Sequence, residues 1–264
     1  MRTYVVTGAA SGIGLATVKL IEGTGNKAIG VDIKETQVIA DLSTKEGRLI
    51  ATEKSIQLAG GIVDVVIANA GSALADPNTV SINYFGAIEF IEGMRSSLAS
   101  SKSPRVVATS SMAGYLPVDD ELVDLMLAGN ETGARQRAQK LVDQGDGLGR
   151  LIYGSTKRAL SRWIRRECIK PEWAGAGIPL NAVGPGIVKT PMVADMIATQ
   201  EGRDVIAKIV PMPLHGFIEA ADIAELLMWL SSEKNSHMTG QTIYIDGGAD
   251  AQLRGDDIWS NLKK

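Results

Sequence analysis

The chain has 264 residues, 45% of them hydrophobic and 22% charged, with a formal net charge of −3. That length suits one domain with a sizeable core, and a slightly negative balance offers no general attraction for nucleic acid. One cysteine, Cys168, excludes an internal disulfide; two histidines, His215 and His237, with no cysteine cluster give no zinc spacing; and no Gly-x-Ser-x-Gly elbow is present for a serine hydrolase.

The first strand is TYVVT (3–7), with no basic and apolar leader before it, and no run approaches the roughly 18 apolar residues of a membrane-spanning helix. A cytoplasmic protein with no membrane partner is the expectation. A helix follows from about Gly12 to Glu22, then AIGVDI (28–33) and QVIADL (37–42) as strands two and three. A charged helix covers about 44–57, and VDVVIANA (63–70) is the nearly continuous apolar run of a strand covered on both faces. A long helix is expected over about 77–98, and RVVATSS (105–111) is the fifth strand. The segment 150–168 reads as a helix, 178–186 as the sixth strand, 219–232 as a helix and 241–248 as the last strand. This alternation predicts an α/β fold, a doubly wound parallel sheet with helices on both faces, in one domain over 1–264.

About 116–149 breaks the alternation. Asp119 or Asp120 caps a helix carrying Leu122, Leu125 and Met126; Asn130 caps a second with Ala134, Ala138, Leu141 and Val142 on one face. The glycine-rich GDGLG (145–149) ends it. A helical insertion between strand five and the next helix is therefore expected at the sheet's carboxyl edge.

TGAASGIG (7–14) follows a strand and opens a helix. Gly8, Gly12 and Gly14 provide a tight turn and let backbone approach a pyrophosphate at the helix N-terminus, with Ser11 and Ile13 beside them. Asp32 ends the second strand 18 residues after Gly14, where a carboxylate takes both ribose hydroxyls. It would repel a 2′-phosphate, and only Lys34 follows it, so NAD is expected over NADP. Asp41 and Leu42 end strand three where adenine would lie. Asn69, Ala70 and Gly71 end strand four, and Pro185 and Gly186, followed by Val188 and Thr190, end strand six. Carboxyl ends of parallel strands are where open α/β sheets hold ligands.

Taken together, TGAASGIG, NAG, SINYFG, TSS, YGSTK and PGIVKT occur in an order that resembles the short-chain dehydrogenase/reductase family over essentially the whole chain. The likeness in VIADLST, NYFGA, IDGG and the long segment before the tyrosine is to the family's bacterial hydroxysteroid dehydrogenase and carbonyl reductase branch. The resemblance implies a Rossmann-type sheet of about seven strands, a nicotinamide cofactor, and a catalytic set of Ser111, Tyr153, Lys157 and Asn83. It also implies a homo-oligomer, dimer or tetramer. One departure is the 42-position gap from Ser111 to Tyr153, far longer than the family pattern, which the insertion explains.

Tyr153 and Lys157 stand four apart on a helix and so share a face. The expectation is that the ammonium, with oxidised nicotinamide, lowers the phenol's pKa; bringing it from about 10 to about 7 requires ~4 kcal/mol of differential stabilisation. Tyr153 would then be general base for alcohol oxidation and general acid for ketone reduction, and Ser111 would hold the substrate oxygen. Lys157 would also hold the nicotinamide ribose, Asn83 would order a water leading to Lys157, and Thr190 would meet the carboxamide. A substrate pocket is expected between Leu116, Pro117, Leu122 and Met126 on one side and Met192, Val193, Met196 and Ile197 on the other. Such apolar, flexible walls suit a hydrophobic ring alcohol or ketone, with a 3-hydroxysteroid leading. The alternatives are a non-catalytic NAD(H) sensor or scaffold, and a reductase for a different carbonyl substrate, including NADP-linked ketoacyl reduction.

Overall fold

The computed structural model describes residues 1–260. Residues 261–264 of the one-domain expectation lie outside the described residues. Seven strands form one parallel sheet: β1 (Thr3–Thr7), β2 (Lys27–Asp32), β3 (Val38–Ile39), β4 (Val65–Ala68), β5 (Arg105–Thr109), β6 (Leu180–Pro185) and, last in sequence, β9 (Thr242–Ile245). Their order is β3-β2-β1-β4-β5-β6-β9, so the winding reverses between β1 and β4 and opens a crevice at the carboxyl ends of those strands. A separate two-strand pair joins β7 (Val188–Lys189) to β8 (Ile218–Glu219).

Alternation of side chains across the sheet explains why β4 reads VVIA. Val66 and Ala68 join one core layer with Phe90, Leu98 and Trp163, while Val65 and Ile67 join the other with Ile21, Leu227 and Leu230. The first layer lies under α2 (Lys45–Ala59), α4 (Ala87–Gly93) and α8 (Leu151–Glu167); the second lies under α1 (Gly12–Gly23) and α10 (Ala220–Ser231).

The structure departs from expectation in three places. The helix read as 77–98 is broken into α3 (Pro77–Val80), a π-turn at Ser81–Gly86, α4, and α5 (Arg95–Ala99). The widened turn is clamped from outside: Arg48 Nη2 donates to the Ser81 carbonyl at 3.3 Å, and Arg135 Nη1 donates to the Ser81 hydroxyl at 2.8 Å. Strand three is two residues, not six, because Asp41 turns the chain by accepting the Ser43 N–H at 2.9 Å, after which Thr44 caps α2. Two helices were unforeseen, α9 (Gln200–Ile209), which buries no side chain, and α11 (Ala249–Arg254), whose Asp250 N–H bonds Asp246 at 2.9 Å.

The insertion is present as α6 (Asp120–Leu127) and α7 (Glu131–Asp143). Asp119 caps α6 by accepting the Leu122 N–H at 2.8 Å, and Arg137 from α7 grips the same carboxylate at 3.0 and 2.6 Å, which holds it below the usual carboxylate range. Asn130 caps α7 through the Gly133 N–H at 2.9 Å. Buried Arg48 ties α7 to the rest: its guanidinium meets Glu131 at 2.6 Å and Glu89 at 3.0 Å, and donates to the carbonyls of Leu42 and Ser43. With the charge paired on two carboxylates and its other donors satisfied, its burial is tolerable; removing either partner would strand it.

Candidate active site

The Gly-rich loop is built by close approach. Gly8 and Gly12 have φ of +69° and +51°, the left-handed region. A Cβ on Gly14 would stand 2.0 Å from the Gly8 carbonyl oxygen, backbone that has nowhere to go. Gly14→Ala is expected to lower stability by about 1–3 kcal/mol and to weaken dinucleotide binding; unchanged melting and titration curves would show that the loop has slack. Ser11 precedes α1 in extended conformation and its side chain makes no cap bond, which leaves the first-turn N–H groups without a side-chain acceptor. That is the donor set a pyrophosphate needs.

Asp32 closes the loop from the end of β2. Its Oδ2 accepts the Ala10 N–H at 2.9 Å and its Oδ1 the Ile33 N–H at 2.7 Å, and each oxygen keeps further acceptor capacity for a ribose. A cavity of about 470 Å³ opens nearby, lined by Ala9, Gly30, Glu35, Thr36 and Gln37 among others. Asn69 fixes the opposite wall: its N–H bonds the Thr7 hydroxyl at 3.0 Å and its Oδ1 accepts from Thr109 Oγ1 at 3.0 Å. Thr190 faces the same loop, since a Cβ on Gly12 would meet its methyl at 3.1 Å. These residues fit a dinucleotide. Leu42, Pro185 and Val188 are buried in side chain, and Asp41 is exposed. What the three buried residues offer a ligand is main chain, and Ile13 packs partly into the core.

The expected catalytic residues converge. A Cβ on Gly71 would stand 3.2 Å from Asn83 Oδ1 and 3.6 Å from Lys157 Nζ, so the end of β4, the π-turn and α8 meet there. Asn83 is fully buried, and its carboxamide is taken up by protein: it accepts the Ser72 N–H at 2.7 Å and donates to the Ser72 carbonyl at 2.9 Å and to Thr156 Oγ1 at 3.1 Å. Its side chain therefore shapes the turn after NAG, while Oδ1, with one donor recorded, keeps acceptor capacity for a further hydrogen bond. Ser111 is buried at the end of β5 and starts a 3₁₀ turn over Met112–Tyr115, accepting the Ala113 N–H at 3.1 Å. That turn packs on α8: Gly154 carries no Cβ where one would lie 2.9 Å from the Ala113 carbonyl.

In the cofactor-free chain desolvation dominates the electrostatics of the pair. Lys157 Nζ is buried, donates to the Thr109 carbonyl at 2.7 Å, and lies 5.7 Å from the centroid of the Tyr153 ring. Burial lowers its pKa to about 8. Tyr153 keeps part of its surface exposed, yet desolvation pushes its phenol up, and the Ser111 hydroxyl is what draws it back. The acid phenol read from the Tyr-Lys spacing is thus not a property of the protein alone. The ammonium's hydrogen bond goes to the Thr109 backbone carbonyl.

The substrate wall also needs correction. Leu122 and Met126 have no exposed surface and belong to the core beneath α6. Leu116 is partly exposed instead beside Met112, Val210 and Met212, with Tyr115, Ile187 and Phe217 at the same cluster. Met192 and Met196 are 46% and 44% exposed. Sequence reasoning missed Tyr115, whose hydroxyl donates to Asp246 at 3.1 Å and so ties the serine turn to the end of β9; the available signal was the IDGG motif, which places Asp246 at a strand's carboxyl end.

Comparison with known proteins agrees with this geometry. The family model described as enoyl-(acyl carrier protein) reductase matches residues 144–250. The 3-alpha-hydroxysteroid dehydrogenase/carbonyl reductase of Comamonas testosteroni is 35% identical over 96% of this chain and 98% of its own. A solved 3-alpha-hydroxysteroid dehydrogenase from Pseudomonas sp. B-0831, complexed with NADH, superposes with a TM-score of 0.86 at 32% identity, covering 96% of this chain and 98% of that one. The structure of ElxO with NADP bound shares the fold, with a TM-score of 0.74 at 21% identity over 95% of this chain and 99% of that one.

Proposed function

Since this chain belongs to the short-chain dehydrogenase/reductase family, we propose that it transfers a hydride between NAD(H) and a secondary alcohol or ketone on a hydrophobic ring system, with a 3-hydroxysteroid as leading substrate. The observation that carries the reading is the meeting of Lys157 and Asn83 at Gly71, with Ser111 beside Tyr153 at the neighbouring strand end. The cofactor supplies the hydride acceptor or donor; the protein supplies position and protons. Gly8, Gly12, Gly14 and the N-terminus of α1 would hold the pyrophosphate, Asp32 the adenosine ribose, and Asn69 to Gly71 with Thr190 the nicotinamide half.

Tyr153 gives its proton to the carbonyl oxygen in reduction and takes the alcohol proton in oxidation. Ser111 donates to that oxygen as negative charge develops on it. Lys157 holds the nicotinamide ribose and, protonated at neutral pH, stabilises the phenolate once it forms. The partly exposed Leu116, Met192 and Met196 supply the apolar walls. The same reading takes the chain as one catalytic domain, acting in the cytoplasm as a dimer or tetramer. Among the described residues, no helix is long and apolar enough to cross a membrane.

NAD is favoured over NADP because a 2′-phosphate at Asp32 would meet one carboxylate there and a second at Glu35 lining the adjacent cavity. NADH is therefore expected to bind at least about tenfold more tightly than NADPH, ~1.4 kcal/mol, in parallel fluorescence titrations; equal affinities would overturn the NAD assignment. Activity is tested with NAD and a panel of 3-hydroxysteroids, cyclic alcohols and sugars. NADH formation with steroids is expected. Turnover of sugars alone would remove the steroid substrate, and tight NADH binding without any turnover would make the chain a sensor.

A further inference from the structure

Carbonyl reduction needs the Ser111 hydroxyl in one place, yet the backbone around it is not stiff by itself. Met112–Tyr115, the turn that Ser111 opens, is a single 3₁₀ turn, a geometry whose hydrogen bonds are poorer than those of an α-helix. Within it the Gly114 N–H reaches the Ser111 carbonyl at 3.1 Å, and the Leu116 N–H reaches the Ala113 carbonyl only at 3.3 Å. Its third residue is a glycine, which adds backbone freedom.

The turn is held from outside by α8. Arg158 Nε donates to the Gly114 carbonyl and Nη2 to the Leu116 carbonyl, each at 2.7 Å. Both bonds are short, as a charged donor makes them, and one planar fork spans two carbonyls two residues apart. The backbones also approach closely: a Cβ on Gly114 would stand 3.3 Å from the Arg158 nitrogen and 3.4 Å from the Lys157 carbonyl carbon. Nothing draws the guanidinium away. Its carboxylate neighbour, Asp120, lies at 3.7 Å with its side chain 86% exposed, and such a pair contributes little. Between the two gripped carbonyls the Tyr115 hydroxyl fastens the turn's other side to Asp246.

Chain order brings this grip to bear on the chemistry. Arg158 follows Lys157 directly and points about 100° round the helix from it. The same stretch of α8 thus places the ammonium beside Gly71 and the fork on the serine turn. Ser111 Oγ accepts the Ala113 N–H at 3.1 Å and lies beside the Tyr153 phenol. We propose that Arg158 is a positioning residue for Ser111: through the Gly114 and Leu116 carbonyls it sets where the serine hydroxyl stands relative to the Tyr153 phenol, and so how both meet the substrate oxygen. The inference rests on the hydride-transfer reading of this site and deepens it.

Arg158→Met keeps the stem and removes the fork, whereas Arg158→Lys keeps the charge on a donor that cannot span both carbonyls. The side chain is 30% exposed, so both variants should fold. A double-mutant cycle with Ser111→Ala reads the coupling. Alone, Arg158→Met is expected to lower kcat for ketone reduction by about tenfold, with KM for NADH close to wild type. With Ser111→Ala already present, it should cost less than about twofold more. A merely structural loss would appear equally in both backgrounds. Arg158→Lys should lie nearer to methionine than to wild type. Equal losses in both backgrounds, or wild-type kcat in either Arg158 variant, would overturn the positioning role. A second arm needs no turnover. In protein carrying tyrosine labelled with ¹³C at Cζ, the Tyr153 resonance, identified by its loss in Tyr153→Phe, should move in the same direction in Arg158→Met as in Ser111→Ala. A resonance left at its wild-type position would overturn the proposal. Wild type that reduces no ketone would defeat the functional reading instead, and the resonance would still decide the grip.

Discussion

Replacing Tyr153 by phenylalanine is expected to lower kcat by about a thousandfold, within the ~10²–10⁴ range of general acid–base catalysis, while NADH affinity stays within about twofold. The ring and its packing on α8 remain, and only the proton carrier is lost. Direction enters through the phenol's environment. Burial pushes Tyr153 up, so in the cofactor-free protein it holds its proton at neutral pH, the state ketone reduction requires. Oxidation requires the phenolate. Reduction should therefore weaken, and oxidation strengthen, as pH rises through the phenol's titration in the complex. A Tyr153→Phe variant turning over near the wild-type rate in either direction would assign the proton to another group.

Lys157→Met should separate catalysis from stability. Turnover is expected to fall by at least about a hundredfold, because the cation that stabilises the phenolate is gone. The fold, by contrast, should lose a burden. Lys157 titrates near pH 8 in the folded protein and at its ordinary, higher value when unfolded. Between those values the unfolded chain binds more protons than the folded one, so stability rises with pH there. The gain from pH 7 to pH 10 amounts to about 2–3 kcal/mol. Methionine removes that cost and leaves the Thr109 carbonyl without its donor, a loss of about 1–3 kcal/mol. The variant should thus be no less stable than wild type at pH 7, and the stability of wild type relative to the variant should climb from pH 7 to 9.5. The buried Cys168 thiol and the tyrosines raised by burial act in both proteins and cancel in the difference. Parallel denaturation curves across that range would refute a lysine destabilised by burial.

Much of this site was legible because its signals are local. Gly8, Gly12 and Gly14 demand their turn whatever surrounds them, and Asp32 ends a strand whose apolar run is plain in the sequence. The insertion could be read from Asp119 and Asn130, caps that act on their own helices. What could not be read depends on partners distant in the chain. Helical periodicity showed an apolar face on Leu122 and Met126 but not which neighbour that face meets; it meets the core, not the substrate. The π-turn at Asn83 is clamped by Arg48 and Arg135, 33 and 54 positions from Ser81, so no local pattern marks it. Spacing put Lys157 on the same face as Tyr153, but not its hydrogen bond to Thr109, 48 positions away, nor the burial that pushes the phenol up in the cofactor-free chain. Tyr115 and Asp246, 131 positions apart, are joined only by the closing of the sheet.

The most direct test follows the hydrogen itself. A 3-hydroxysteroid deuterated at its carbinol carbon is incubated with NAD and either wild type or Tyr153→Phe, and the recovered cofactor is examined by mass spectrometry. Deuterium should appear on the nicotinamide with wild type and be nearly absent with the variant. Label that never reaches the cofactor, or that reaches it equally in both proteins, would contradict hydride transfer governed by Tyr153.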